Sequence, residues 1–373
     1  MVNWGMIGTM VFAILAVAVN GIPQLLYAKE RGFKLKSVAY AYFIAAGLNM
    51  MLGSVTPISA QAETITVAGN TKEARARITA LILAAIAMTL LGLFGLVSQI
   101  ADWVGAGVVA GMMAGVGFML CEVSYNFTKS DWQISVVSIV SAVGTWMLLR
   151  SDPNAVVYTI GISVALSTIY YVVRMKKRGP KASEEAVAEA GEKQSLIKDW
   201  RDGWRGMVFN KTAILAALGL VCMGIGCNIS FGNITASIAG TTQNLNHLTI
   251  VNAVADFISV PAGGLPLEGI ISGTAGAPNP VLTGVLMMAF IGILILTGAV
   301  EKLAKYVPAE SISGFLLVIG FVLTVLPSVG GVIASGAIAA GMAALGMTIL
   351  SKNPFYGMIA GVIVRLLGPM LGI

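Results

Sequence analysis

The sequence predicts an all-α polytopic membrane protein of fourteen transmembrane segments arranged as a seven-plus-seven inverted repeat. Three observations predict it. Of 373 residues, 57% are hydrophobic and only 11% are charged, with a mean hydropathy of +0.87, more apolar surface than a water-soluble fold can hide. Apolar stretches near the ~20 residues that a helix needs to cross a bilayer recur along the whole chain. Small-residue and proline landmarks of the first half return in the second. This composition excludes nucleic-acid binding, a secreted disulfide scaffold and an enzyme built around a large soluble pocket. Cys121, Cys222 and Cys227 are odd in number and lie in apolar runs, so they predict core packing and neither a disulfide framework nor a metal site.

In chain order, the apolar periods predict helices over 6–27 and 38–53, then a broken third segment over 54–70 (SVTPISAQAETITVAGN). Proline and a carboxylate interrupt the last at a depth where irregular backbone survives only if protein or a watery cavity covers it. Helices follow at 79–99, 103–121, 133–149 and 155–174. The first segment is not a cleavable signal peptide, because its flank MVNWG carries no lysine or arginine. Residues 174–206 are rich in Lys, Arg, Asp and Glu and read as a soluble linker. The second half gives 211–231, a short ninth segment ending near Ser259, a broken tenth over 261–276, and helices at 279–300, 310–327, 330–349 and 354–372.

The repeat rests on specific residues. Ser54-Val55-Thr56-Pro57, leading to Glu63, is answered by Ser259-Val260-Pro261, leading to Glu268. Gly95, Val104, Gly111 and Gly117 recur at one constant offset as Gly298, Val307, Gly314 and Gly320. Seven segments per repeat is an odd number, so the repeats run in opposite directions across the membrane, which puts a site at the midplane between the broken segments. Charge agrees: with the N-terminus outside, every lysine and arginine except Arg150 and Arg365 falls in a cytoplasmic loop. The expectation is a multi-pass protein of the cell membrane with both termini extracytoplasmic and residues 175–208 cytoplasmic.

Carboxylates at membrane depth cost about 2.5–3.5 kcal/mol each and are functional candidates by default. Glu63 and Glu268, one per broken segment, are the principal ones, expected to take part in substrate binding and ion coupling. Asn20 and Gln24 share a face of the first helix, and Asn228 and Phe231 occupy the corresponding helix of the second half. Amides read paired donor and acceptor edges, and an aromatic ring stacks on a flat ligand. Gln61 and Thr274, beside the two carboxylates, complete the expected substrate set. Asp256 is read as a tether for the short ninth segment. No catalytic residue, metal site or cofactor is predicted.

The stretches GLPLEGIISGTAGAPNPVLTGVLMM (264–288) and KYVPAESISGFLLVIG (305–320) resemble the nucleobase:cation symporters, the xanthine/uracil permease or nucleobase–ascorbate transporter type. A second likeness runs out of register. Asn20 with Gln24, then KERGFKLK, then Gly53-Ser54-Val55-Thr56-Pro57 and Ala62-Glu63-Thr64-Ile65, follow the order of features in the second half of uracil permeases. The chain thus resembles such a permease with its two repeats in exchanged order.

The resemblance implies a core domain of 1–99 and 209–300 and a gate domain of 100–174 and 301–373, joined by the linker 175–208. It also implies a proton- or sodium-coupled transporter of a purine, pyrimidine or similar heterocycle, not an enzyme, whose gate helices often pair as a homodimer. On this mapping Glu63 is the substrate-binding glutamate, accepting hydrogen bonds from ring N–H groups. Asn20 replaces a second family glutamate and cannot titrate, and Glu268 would supply the missing charge. An anion transporter of the sulfate or carboxylate type on the same fold is the alternative reading. A membrane-embedded enzyme or a structural membrane subunit is the alternative of another class.

Overall fold

The computed structural model describes residues 4–152, 155–178, 195–304 and 306–371. The protein is a multi-pass helical membrane protein. Seven of the described helices are long and apolar enough to cross a bilayer, and four shorter apolar stretches join them. The first half runs α1 (Trp4–Glu30), α2 (Leu35–Leu52), the two-residue strand β1 (Ile58–Ser59), α3 (Ala62–Gly69), α4 (Ala74–Leu93), α5 (Leu96–Val104), α6 (Ala106–Ser130), α7 (Trp132–Leu149) and α8 (Ala155–Arg178). After α9 (Leu196–Arg205) the second half runs α10 (Lys211–Ile238) and α11 (Leu245–Ser259). Strand β2 (Glu268–Gly269) and a 3-10 turn over Gly273–Gly276 follow, then α12 (Pro280–Leu296), α13 (Ala299–Ala304), α14 (Ala309–Ala334), α15 (Ile338–Ser351) and α16 (Pro354–Leu371).

The inverted repeat is visible in the packing. β1 and β2, one per half, pair antiparallel at the centre, Ile58 opposite Gly269 and Ser59 opposite Glu268. Gly95 and Gly298 both adopt left-handed backbone, φ +67° and +69°, and end α4 and α12 in the same way. The two repeats also touch reciprocally. A Cβ at Gly117 would lie 2.6 Å from the Gly320 carbonyl oxygen, and one at Gly320 would lie 2.7 Å from that of Gly117. Gly111 presses on the Gly341 carbonyl and Gly314 on that of Ser138, two contacts related by the same constant offset. Helices in lipid gain little from hydrophobic burial against one another, so close backbone approach over small residues is what holds such crossings.

Three expectations are corrected. The segment 79–99 is two helices, because the left-handed Gly95 turns the chain into α5. The boundary expected between 327 and 330 lies instead at Ser335–Ala337. Pro327 reads as a stop in the sequence, but it sits in the first turn after a π-helical stretch, Val318–Val325, where its missing N–H is tolerated. The linker is not wholly irregular: α9 packs under the second broken segment. Trp204 stacks on Phe257, the Trp200 indole N–H donates to the Phe257 carbonyl at 2.8 Å, and Lys34 pairs with Asp199. Linker residues 179–194 lie outside the described residues.

Candidate functional site

The centre of the site is built from the two broken segments. Gly53, at φ +63°, ends α2, and the Asn49 amide donates to the carbonyls of Ser54 and Thr56, fixing an extended chain into β1. Pro57 has no N–H to satisfy, and its carbonyl accepts from the Ile270 N–H of the other repeat. Tyr42, fully buried, shares a hydrogen bond with Ser59 at 2.7 Å and accepts the Ala60 N–H at 3.0 Å. The Gln61 amide donates to the Gly269 carbonyl at 2.8 Å, tying the two segments together one residue before α3 begins.

Helix α3 therefore starts at the crossing, and no side chain caps it. Uncapped amides at a helix N-terminus favour negative charge. Glu63 lies in this first turn, 1% exposed, and no other described residue gives either of its carboxylate oxygens a hydrogen bond. A buried carboxylate without partners is costly, so the arrangement implies a proton, a cation or a ligand donor at Glu63.

Glu63 faces a cavity of about 40 Å³, lined also by Gln24, Ser59, Gln61, Phe231 and Thr324, with aliphatic residues of α1, α14 and the second broken segment. A larger vestibule of about 370 Å³ lies beyond it, lined by Asp102, Ala106, Ser230, Pro327 and Gly331 among others. The two spaces share Phe231, Leu323 and Thr324.

Four of the eight expected residues, Glu63, Gln61, Gln24 and Phe231, line the one cavity. The side chain of Asn20 lies outside the described residues. Glu268 and Asn228 do not line it; they belong to a hydrogen-bond chain behind it. The Asn252 amide donates to both Glu268 Oε2 and Asn228 Oδ1, each at 2.8 Å, and Asn228 donates to Thr249 at 2.9 Å. Glu268 is thus a committed acceptor where Glu63 is bare.

Thr274 is drawn away as well, sharing a hydrogen bond with Ser272, which also caps the 3-10 turn. Asp256 accepts the Leu267 N–H at 2.8 Å, a tether of the ninth segment to the tenth. Sequence reasoning missed Asn252 and Thr324. Asn252 is one of several polar residues in α11, and Thr324 is a lone hydroxyl in an apolar run, so neither stands out by residue type.

No family model and no curated protein matches the sequence. Solved structures do. The transmembrane domain of the cyanobacterial bicarbonate transporter BicA is 16% identical, with a TM-score of 0.65 over 97% of this chain and 98% of that one. SLC26A9 is 14% identical, with a TM-score of 0.57 over 97% of this chain and 65% of that one. The murine SLC26A9 anion transporter in its inward-facing state is 13% identical, with a TM-score of 0.54 over 98% and 68%. The shared fold is that of seven-plus-seven inverted-repeat transporters, and the chain spans about two thirds of the SLC26A9 chains.

Proposed function

We propose that the protein is a secondary active transporter of a small oxyanion, taken up together with a proton or sodium ion that neutralises Glu63. One observation carries this reading: the uncapped N-terminus of α3 and the unpartnered carboxylate of Glu63 share one small cavity. The helix terminus suits an anion, while an ionised Glu63 opposes it. Two unit charges about 4 Å apart repel by roughly 4 kcal/mol at an effective dielectric near 20, close to a thousandfold in affinity. The anion therefore binds well only when Glu63 is neutralised, which links the two ligands thermodynamically. On the measure by which a water needs about 10–15 Å³, the cavity takes about three waters, the size of a small oxyanion. The fold shared with a bicarbonate transporter and an anion transporter supports the same class.

Access alternates as a core of 1–99 and 209–300 moves against a gate of 100–174 and 301–373. Support for this division comes from the cavity, whose walls are α1 and the broken segments on one side and α14 on the other.

A second reading keeps the fold and makes the substrate a nucleobase. Gln24, Gln61, Glu63 and Phe231 line one cavity and form a set able to read a flat heterocycle. A base would need the cavity to widen toward the vestibule.

A thermal-shift screen of purified protein against bicarbonate, nitrate, sulfate and nucleobases separates the two readings. A ligand at a hundred times its Kd raises stability by about 2.7 kcal/mol. The oxyanion reading expects an oxyanion shift that survives Glu63→Gln, because the neutral amide stands in for the neutralised acid. The nucleobase reading expects a base-specific shift lost in that variant.

A further inference from the structure

Phe231, Leu323 and Thr324 stand between cavity and vestibule, the three residues common to both linings. Each belongs to a π-helical turn: Phe231 to Asn228–Gly232 in α10, Leu323 and Thr324 to Val318–Val325 in α14. Such turns are rare and concentrate where a helix must present a group it would otherwise hide. Here two of them, one from each proposed domain, meet at the same place.

The consequence falls on Thr324. A threonine inside a helix commonly places its hydroxyl on the carbonyl four residues earlier. Thr79, Thr89, Thr128, Thr249, Thr283 and Thr348 all do so. For Thr324 that carbonyl belongs to Gly320, which lies against Gly117 of α6 at the crossing between the repeats. Thr324 makes no such bond, and neither do Thr159 and Thr168 of α8; of these three, Thr324 is the one that lines the cavity. Its Oγ1 is buried, in a residue only 3% exposed, and has no partner among the described residues. It lines the same cavity as the equally unpartnered Glu63.

We infer that Thr324 is the gate-side substrate contact, its hydroxyl donating a hydrogen bond to the oxyanion while the α3 amides hold it from the core side. This rests on the oxyanion reading above. A ligand so held bridges the two proposed domains, so its arrival and departure coincide with their relative movement. Hydroxyl donation also discriminates by geometry, because it rewards a ligand with an acceptor oxygen aimed at α14.

The test uses purified full-length protein and titrates bicarbonate, nitrate and sulfate by thermal shift, with wild type, Thr324→Val and Thr324→Ser. Valine keeps the shape and removes the donor. A hydrogen bond to a charged group is worth about tenfold or more in affinity. Thr324→Val should weaken the best-bound oxyanion by at least tenfold, and Thr324→Ser should stay within threefold of wild type. In uptake assays the valine variant should show the same loss as a raised KM.

If wild type binds an oxyanion and Thr324→Val binds it within threefold, the assignment of Thr324 is overturned and the substrate class stands. If wild type binds none of the three, the substrate class fails, and the assignment with it. Thr324→Ala replaces the valine variant, with the same expectation, if valine prevents recovery of monodisperse protein.

Discussion

Gly111 lies where α6 crosses α15, and the repeat gives it a counterpart in Gly314, where α14 crosses α7. A methyl group added at Gly111 would lie 2.0 Å from the Gly341 carbonyl oxygen and 2.6 Å from its carbon; at Gly314 it would lie 2.2 Å from the Ser138 oxygen. Ordinary carbon–oxygen contacts begin at ~3.3 Å, so the crossings must open by roughly 1.1–1.3 Å. The obstruction is backbone in both cases and cannot be relieved by a rotamer change. Overpacking of this kind costs about 1–3 kcal/mol, and the separated helices also lose dispersion contacts on either side. Thermal unfolding in detergent, followed by loss of the monodisperse peak, should place Gly111→Ala and Gly314→Ala roughly 1–4 °C below wild type. Gly144→Ala and Gly346→Ala are the controls. Nothing lies within 4 Å of the added atom at either site, and alanine gains up to about 1 kcal/mol in helix propensity. If Gly111→Ala and Gly314→Ala melt with these controls, the helix crossings described above are wrong.

Three further outcomes follow from the described contacts. Arg174 donates to both carboxylate oxygens of buried Asp131, at 2.9 and 2.7 Å, and Asp131 also caps α7; Arg174→Met should cost about 3 kcal/mol or more, read by the same melting assay. A Cβ at Gly203 would lie 1.8 Å from the Pro261 carbonyl oxygen. Gly203→Ala should therefore lift α9 and speed tryptic cleavage at Lys198, Arg201 and Arg205 severalfold. Glu63→Gln removes a buried carboxylate that has no partner, so the ligand-free variant should melt higher than wild type, as expected where a functional group is held at a cost in stability.

What the sequence made legible depended on how strongly each residue departed from its background. The repeat could be read because glycines at close crossings have no apolar substitute, so Gly117 and Gly320 stand out as a pair. Glu63 could be read because a carboxylate in an apolar segment is rare. Glu268 looked equivalent in sequence, yet Asn252 reaches it from α11 and donates to its Oε2; partners brought from another helix leave no trace in local spacing. Thr324 was hidden for the opposite reason. It reaches the cavity from a π-helical turn, and no residue type marks one. The clustered charges of α9 masked Trp200 and Trp204, whose contacts with Phe257 make that stretch helical packing instead of free linker.

The claim that one cavity binds an oxyanion and a neutralising cation together is tested most directly by uptake into proteoliposomes. Labelled oxyanion would be supplied outside, with and without an inward proton or sodium gradient, for wild type and Glu63→Gln. The account predicts that one of the gradients drives accumulation by wild type, and that Glu63→Gln still exchanges the labelled anion but no longer concentrates it. Gradient-driven accumulation by Glu63→Gln equal to wild type would contradict the account.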